Sequence, residues 1–303
     1  MNTYYVVWWC FSVVVLSLFD GISCGRVALE RSGIKVDRYY ASEIERDPIR
    51  VTKENYPDII QLGDARYIDF DKLPHIDLLI GGSPCSYWSN ARTSFKETRE
   101  RYPSGTGYDL FCVFVDAVKK IKPKYFLYEN NYSMSKEVRN QITNDLHCKP
   151  IMIDSSLVSA QSRKRLYWCN FDVIQPKDKN IFISDIIPNA VTGAAKRNQL
   201  TRNGYEYRLD IRKDHKSNCL VTFATKRNCC IQLNDGSIRS LTADEYEILQ
   251  TLPKGYTKCL SESGRKTVIA LGWTVDVIAH ILSHIPESDN YIKPITQRRL
   301  FSV

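Results

Sequence analysis

Along the first 170 residues of this chain, short apolar runs alternate with helix-length segments. The runs lie at 13–19, 37–42, 59–62, 76–80, 125–128, 151–153 and 166–169, and the longer segments between them at 26–32, 47–56, 108–121 and 136–146. The first run is β-branched and passes straight into a turn, as a strand buried on both faces does. Gly33 closes the first helical segment, Pro48 sits at the first helical position of the second and Pro57 follows it, all in places those residues favour. Strands separated by helices of this length predict βαβ crossovers, hence an α/β fold with a doubly wound, mostly parallel sheet.

From 171 to 239 the alternation lapses and a small loop-rich unit is expected. Helical order returns at 242–251. A last helix carries Val275, Ile278, Ala279, Leu282 and Ile285 on one stripe, with Thr274 as its N-cap and Pro286 as its stop. The apolar start, 6–19, is shorter than the ~20 residues a membrane span takes, and it has neither the basic flank nor the small-residue cleavage site of a secretory signal. A cytoplasmic protein without membrane association is expected; residues 1–12 are left without a role.

Composition narrows this only slightly. A length of 303 residues suits about two compact units, and 43% hydrophobic with 25% charged residues excludes disorder, collagen and coiled coil. The net charge is +8, and the stretch 171–239 holds 12 Lys+Arg against 7 Asp+Glu, so the excess gathers where the pattern is weakest. Such a balance is compatible with a polyanionic partner and does not require one. The ten cysteines fall at irregular spacings with no CxxC pair, and there is no HExxH. Free thiols in a reducing compartment, with no metal, are expected.

Candidate chemistry sits at the strand ends. Leu18-Phe19-Asp20-Gly21-Ile22-Ser23-Cys24-Gly25 joins the first strand to the first helix, the position where doubly wound sheets bind ligands. It is not GxGxxG, and the carboxylate of Asp20 would repel a pyrophosphate. A nucleoside carrying cations instead, such as S-adenosylmethionine, accepts it. Glu43 ends the second strand, where a carboxylate can accept both ribose hydroxyls, and Asp64 ends the third, within reach of an adenine amino group. After the fourth strand comes Gly81-Gly82-Ser83-Pro84-Cys85. A free cysteine is most often a small buried residue, but one on a rigid turn at this edge becomes a nucleophile if nearby cations lower its pKa. Glu129 closes the next strand. Arg163 and Arg165, at i and i+2 before an apolar run, share a face if extended.

Taken together and in this order, the motifs resemble those of C5-cytosine DNA methyltransferases, the early part most closely the de novo subgroup. The resemblance spans roughly residues 13–285 and rests on 18–25, Ser42-Glu43, 63–66, 81–85, Gly105-Thr106-Gly107, Glu129-Asn130, 159–165 and Tyr167-Trp168. Near the C-terminus, 239–245 through Leu252-Pro253 resembles the ninth motif and 272–278 the tenth. It implies that Cys85 adds to C6 of a cytosine flipped out of duplex DNA, and that Glu129 contacts N3 and the exocyclic amine. Arg163 and Arg165 would orient that carboxylate and contact O2. It also implies that Phe19 stacks on the adenine of S-adenosylmethionine and Trp273 closes over the methionine part. Asp20, Gly21, Ile22, Cys24, Glu43, Ile44, Asp64, Ala65, Gly82 and Leu110 would complete the pocket.

By the same resemblance, 1–170 with 265–290 form the catalytic domain, 171–264 a target-recognition domain and 291–303 a tail. Lys196, Arg197, Arg202, Arg208, Arg212, Lys226 and Arg227 become candidate DNA contacts. So do Tyr87, Trp88, Asn90, Arg92, Lys96, Arg99 and Arg101 in a mobile catalytic loop. The sequence departs from the family pattern at Asn131, where Val is usual, at Gly272-Trp273, where many bacterial members have Gly-Asn, and at Gln250-Thr251-Leu252-Pro253, where Gln-Gly-Phe-Pro is common. A tRNA cytosine-5 methyltransferase and a catalytically silent DNA-binding paralogue are the alternatives. The first is disfavoured by Ser86-Tyr87-Trp88 after the Pro-Cys pair, the second by the presence of both Cys85 and Glu129. Monomer and homodimer are both compatible with the sequence, as is an association with the nucleoid.

Overall fold

The computed structural model describes residues 12–89, 99–201, 204–222 and 229–286. The apolar start becomes β1 (Ser12–Leu18), and the next strands are β2 (Lys35–Ser42), β3 (Ile60–Gln61), β4 (Leu78–Gly81), β5 (Tyr125–Asn131), β6 (Ile151–Asp154) and β7 (Lys164–Cys169). They form one sheet in the order β3-β2-β1-β4-β5-β7-β6. Between them run α1 (Cys24–Arg31), α2 (Arg46–Asn55), α3 (Thr106–Ile121) and α4 (Lys136–Leu146). Each of the seven strands read from the sequence is present. All are parallel except β7, which is antiparallel to both β5 and β6.

The lone reversed strand decides where the chemistry can be. Strand order turns back between β1 and β4, so the crevice at their carboxyl ends is the natural ligand site. Leu18 lies opposite Ser42 and Gly81, and Gly81 opposite Tyr128. The turns carrying Asp20, Glu43 and Gly82 therefore emerge at one edge, with Glu129 near the end of β5 beside them. Because β7 runs the other way, its beginning is at that same edge, with Arg165 opposite Asn131. A parallel β7 would have carried the arginines to the far side.

Side chains alternate across the sheet. Val15, Ile80 and Leu127 pack on one face with Val27, Leu29 and Ile278; Leu16, Leu79, Phe126 and Tyr128 pack on the other with Phe111, Phe114 and Val138. Gly25 permits α1 to lie close on the sheet. A Cβ there would stand 2.4 Å from Ile80 Cδ1 and 2.9 Å from the Tyr39 hydroxyl.

The region expected to be loop-rich is instead an antiparallel sheet. After the short α5 (Ile183–Ile186), β8 (Ala190–Thr201) and β9 (Gly204–Ile211) form a long hairpin; β10 (Cys230–Leu233) and β11 (Ile238–Ser240) complete the order β11-β10-β8-β9. The alternation of Tyr205, Tyr207, Leu209 and Ile211 with charged residues in β9 is the strand signal. Exposure of Leu209 and Ile211 explains why no continuous apolar run accompanies it.

The C-terminal helices are α6 (Ala243–Leu249), α7 (Glu262–Leu271) and α8 (Val275–Leu282). Thr242 and Glu245 form a capping box at the start of α6. Thr274 occupies the N-cap position of α8, but its hydroxyl donates to Gln250 Oε1 at 2.6 Å instead of capping the helix. Ile285 lies beyond the helix and still packs on the core. No helix among the described residues is long and apolar enough to cross a membrane. Residues 1–11 and the expected tail 291–303 lie outside the described residues.

Candidate active site

The β1–α1 turn is built from unusual backbone. Phe19, Gly21 and Ser23 all have positive φ, near 58°, 61° and 57°, a region that costs little only for glycine. Hydrogen bonds hold it there: Asp20 N donates to Ser42 O at 2.9 Å and Gly21 N to Glu43 Oε2 at 2.8 Å. The other oxygen of Glu43 accepts from Ile44 N and Glu45 N. Asp20 accepts from the hydroxyls of Ser23 and Tyr39. Burial pushes its carboxyl up to about 6, against the opposing pull of its hydroxyl donors.

Asp64 is held below the usual carboxylate range by its hydrogen bonds from Arg66, with Ala65 buried beside it. Ile44 is 60% exposed beside this edge. Phe19 and Leu110 are half-buried. Ile22 and Cys24 turn inward: both are buried, Ile22 O accepts from the Tyr256 hydroxyl at 2.7 Å, and burial pushes the Cys24 thiol up to about 12. Three carboxylates at one edge fit a ligand that brings cations and repel one that brings a pyrophosphate.

Next along the edge is the turn carrying Cys85. Asn130 Nδ2 donates to Ser83 O and to the Tyr128 hydroxyl, each at 3.1 Å, and the Ser83 and Tyr128 hydroxyls are 2.7 Å apart. Cys85 then begins a 3-10 turn (Cys85–Tyr87), its carbonyl accepting from Trp88 N and Ser89 N. Its side chain is intermediate in exposure, and the charges of Arg165, Glu129 and Arg163 all act on it. Burial and Glu129 push the thiol upward while the arginines pull it down, and the balance is upward. The cations alone therefore do not produce the thiolate in this form of the protein.

The carboxylate of Glu129 is buried between two donors. Arg165 Nε lies 3.0 Å from Oε1, and Trp273 Nε1 donates to Oε2 at 3.0 Å. Gly82 faces it closely; a Cβ there would stand 3.0 Å from Oε2. Arg163 does not join Arg165. Its Nη2 donates to Gly272 O at 3.0 Å and its Nη1 to Cys219 Sγ at 3.5 Å. The pairing expected of both arginines is thus divided. Asn131, in place of the usual Val, accepts from Ser133 N and Oγ and stabilises the turn behind Glu129.

The candidate DNA-contact residues divide further. Arg197 pairs with Asp210 and Arg212 with Asp214, whereas Lys196 and Arg208 are exposed. Trp88, expected on a mobile loop, is fully buried, and its Nε1 donates to Glu100 Oε2 at 3.0 Å. Tyr87 is half-buried, Arg99 donates to Ser133 O, and Arg101 O accepts from Ser135 Oγ. Asn90, Arg92, Lys96, Arg202, Lys226 and Arg227 lie outside the described residues. Cys219 had no signal in the sequence and reaches Arg163 only through tertiary folding, while Trp273, expected against a ligand, also grips Glu129. Among the described residues no group of three or more His, Cys, Asp or Glu is arranged to hold a metal ion.

Residues 13–227 match the family described as C-5 cytosine-specific DNA methylase. The chain is 38% identical over 120 residues to orphan methyltransferase M.Rho11sI of Bacillus phage rho11s, covering 38% of this chain and 22% of that one. It is 31% identical over 170 residues to type II methyltransferase M1.ScrFI of Lactococcus lactis subsp. cremoris, covering 52% and 41%. These matches span less than half the length of those relatives. Among solved structures, the Entamoeba histolytica methyltransferase EhMeth aligns with a TM-score of 0.64 at 15% identity, over 93% of this chain and 99% of that one. The S. pombe Dnmt2 methyltransferase aligns at 0.62 and 15%, over 93% and 100%. At such identity the likeness is one of fold.

Proposed function

We infer that this chain, which belongs to the C-5 cytosine-specific DNA methylase family, methylates C5 of cytosine in duplex DNA through a covalent bond from Cys85 to C6. The observation that carries this reading is the buried carboxylate of Glu129, held by Arg165 and Trp273, acting with Arg165 on the half-exposed thiol of Cys85. Cytosine C5 is too weak a nucleophile to take a methyl group unaided; a sulfur anion added at C6 makes it enamine-like. Glu129, at N3 and the exocyclic amine, takes up the charge that develops during attack. The proton that the Cys85 thiol gives up is taken up between N3 and the Glu129 carboxylate, which then no longer opposes the sulfur anion, and the two arginines favour that anion. Loss of the C5 proton and departure of the sulfur restore the ring. A ring stacked in a duplex cannot reach this edge, so the base is flipped out.

S-adenosylmethionine, when bound, supplies the electrophilic methyl group. The residues that would hold it are those of the carboxylate-lined edge: the backbone of Gly21, Ile22, Cys24, Ala65 and Gly82, the carboxylates of Asp20, Glu43 and Asp64, and the apolar surfaces of Phe19, Ile44, Leu110 and Trp273. Sequence recognition is assigned to the β8–β11 sheet, within 171–264. There Lys196 and Arg208 remain for DNA phosphates, while Arg197 and Arg212 already have carboxylate partners.

Asp20 gives cofactor binding a pH dependence. Its carboxyl titrates at about 6, and only the ionised form attracts a cation. Affinity for S-adenosylmethionine is expected to be full above that value and to fall by up to about tenfold per unit below it. Titration calorimetry across pH checks this; an affinity constant through the acid range would contradict it. Bisulfite sequencing of DNA and of RNA from cells expressing the protein tests the reading as a whole. New 5-methylcytosine in duplex DNA is expected. Methylation confined to RNA, or none from a folded protein, would overturn it.

A further inference from the structure

The segment that brings Cys219 to Arg163 is fixed unusually well for a connection between β9 and β10. Ser217 N donates to Ala160 O at 2.6 Å and Ser162 N to Ser217 O at 3.0 Å, a short parallel bridge alongside Gln161. Leu220 N donates to Gln161 Oε1 at 3.0 Å. The ammonium of Lys216 is buried against three carbonyls, those of Ser156, Ile181 and Ser159, at 2.8, 2.6 and 3.3 Å. Gly193 N, in β8, donates to Lys216 O, and a Cβ on Gly193 would stand 2.5 Å from that oxygen. One short segment is thus tied both to the antiparallel sheet and to the residues leading into β7.

Cys219 lies two residues past this bridge, its sulfur accepting from Arg163 Nη1 at 3.5 Å. The other end of the guanidinium holds Gly272 O, whose neighbour Trp273 donates to Glu129. We propose that Cys219 is a positioning residue for the catalytic cluster, holding Arg163 against Gly272 so that Glu129 is paired with Arg165 alone. A carboxylate gripped by both guanidiniums has its acceptor sites taken up, whereas one paired once and hydrogen-bonded to an indole keeps sites open to a base. The inference rests on the reading above for its catalytic meaning, but not for the pairing itself. Burial raises the Cys219 thiol, yet Arg163 and Arg165 outweigh it and hold the group below the usual thiol range. Cys112 and Cys148 are raised and serve as references in the same chain.

The test uses the full chain and two readouts. Alkylation by iodoacetamide, in which the thiolate sulfur bonds to carbon and iodide leaves, is followed for each cysteine by mass spectrometry over a pH series. Cys219 is expected to reach half its maximal rate at lower pH than Cys112 and Cys148, and Arg163→Gln to raise that midpoint by about one unit. Co-titration with the references, or no change in Arg163→Gln, would overturn the pairing. For the role, Cys219→Ala is expected to lower kcat about tenfold, the size of one charge-assisted hydrogen bond. KM for S-adenosylmethionine should stay unchanged while kcat falls, and Cys219→Ser should recover part of the rate. Wild-type kcat in Cys219→Ala would overturn the role. A wild-type protein inactive on every duplex would instead refute the methylation reading, and the alkylation result would still decide the pair.

Discussion

Cys85→Ser is expected to lower methyl transfer by on the order of 10³-fold or more, about 4 kcal/mol of barrier, while S-adenosylmethionine binds as before. The serine oxygen fits the turn set by Ser83, Tyr128 and Asn130, so the fold has no reason to change. Its alkoxide is far less accessible at neutral pH than a thiolate, even with Arg165 and Arg163 acting on the position. Most of the residues proposed to hold the cofactor lie on the β1, β2 and β3 turns, and the hydrogen bonds that fix Asp20 and Glu43 there do not involve that sulfur. Single-turnover assays with calorimetric titration of the cofactor separate the two effects. Full residual activity would refute a covalent route; loss of cofactor binding would mean that the substitution disturbed more than the nucleophile.

Glu129→Gln should damage both chemistry and stability. Its two neighbours, Arg165 Nε and Trp273 Nε1, are both donors. A carboxylate accepts from each, but an amide must turn its NH₂ group toward one of them. Arg165 is also left buried without its counter-charge, and removing one partner of a buried pair typically costs about 3–5 kcal/mol. Urea denaturation should show a loss in that range. Lost proton sharing with the base should lower kcat by roughly 10²–10⁴-fold in whatever fraction remains folded. A variant with wild-type stability and rate would mean that this carboxylate is neither structural nor catalytic. Glu129→Asp, which keeps the charge but shortens the reach, should recover stability more than rate.

The parts of this architecture that depend on local pattern were legible before any coordinates. Strands β1 to β7 follow from short apolar runs, and α8 from its stripe and its Pro286 stop. The turn carrying Cys85 was legible because glycines and a proline at a strand end leave few conformations open. Relations set by long-range packing were not. Nothing local says that β7 reverses, yet that reversal brings Arg165 to Glu129. Trp88 reads as loop by its neighbours, but its indole is buried on Glu100. Thr274 reads as a helix cap, and its hydroxyl instead serves Gln250. In the β8–β9 hairpin Leu209 and Ile211 are exposed, and the trace in the sequence was the alternation in β9. Cys219 carries no pattern; its place follows from Lys216 and Ser217, whose partners lie about sixty residues away in the chain.

The most direct measurement offers the protein a duplex with 5-fluorocytosine at the methylated position, together with S-adenosylmethionine. Fluorine cannot leave as the C5 proton does, so an adduct at C6 stays bonded. A denaturation-resistant protein–DNA complex is expected, with the methylated nucleotide on the peptide containing Cys85 and no complex from Cys85→Ser. A preparation that methylates ordinary cytosine but forms no such complex, or forms it through another residue, would contradict covalent catalysis by Cys85.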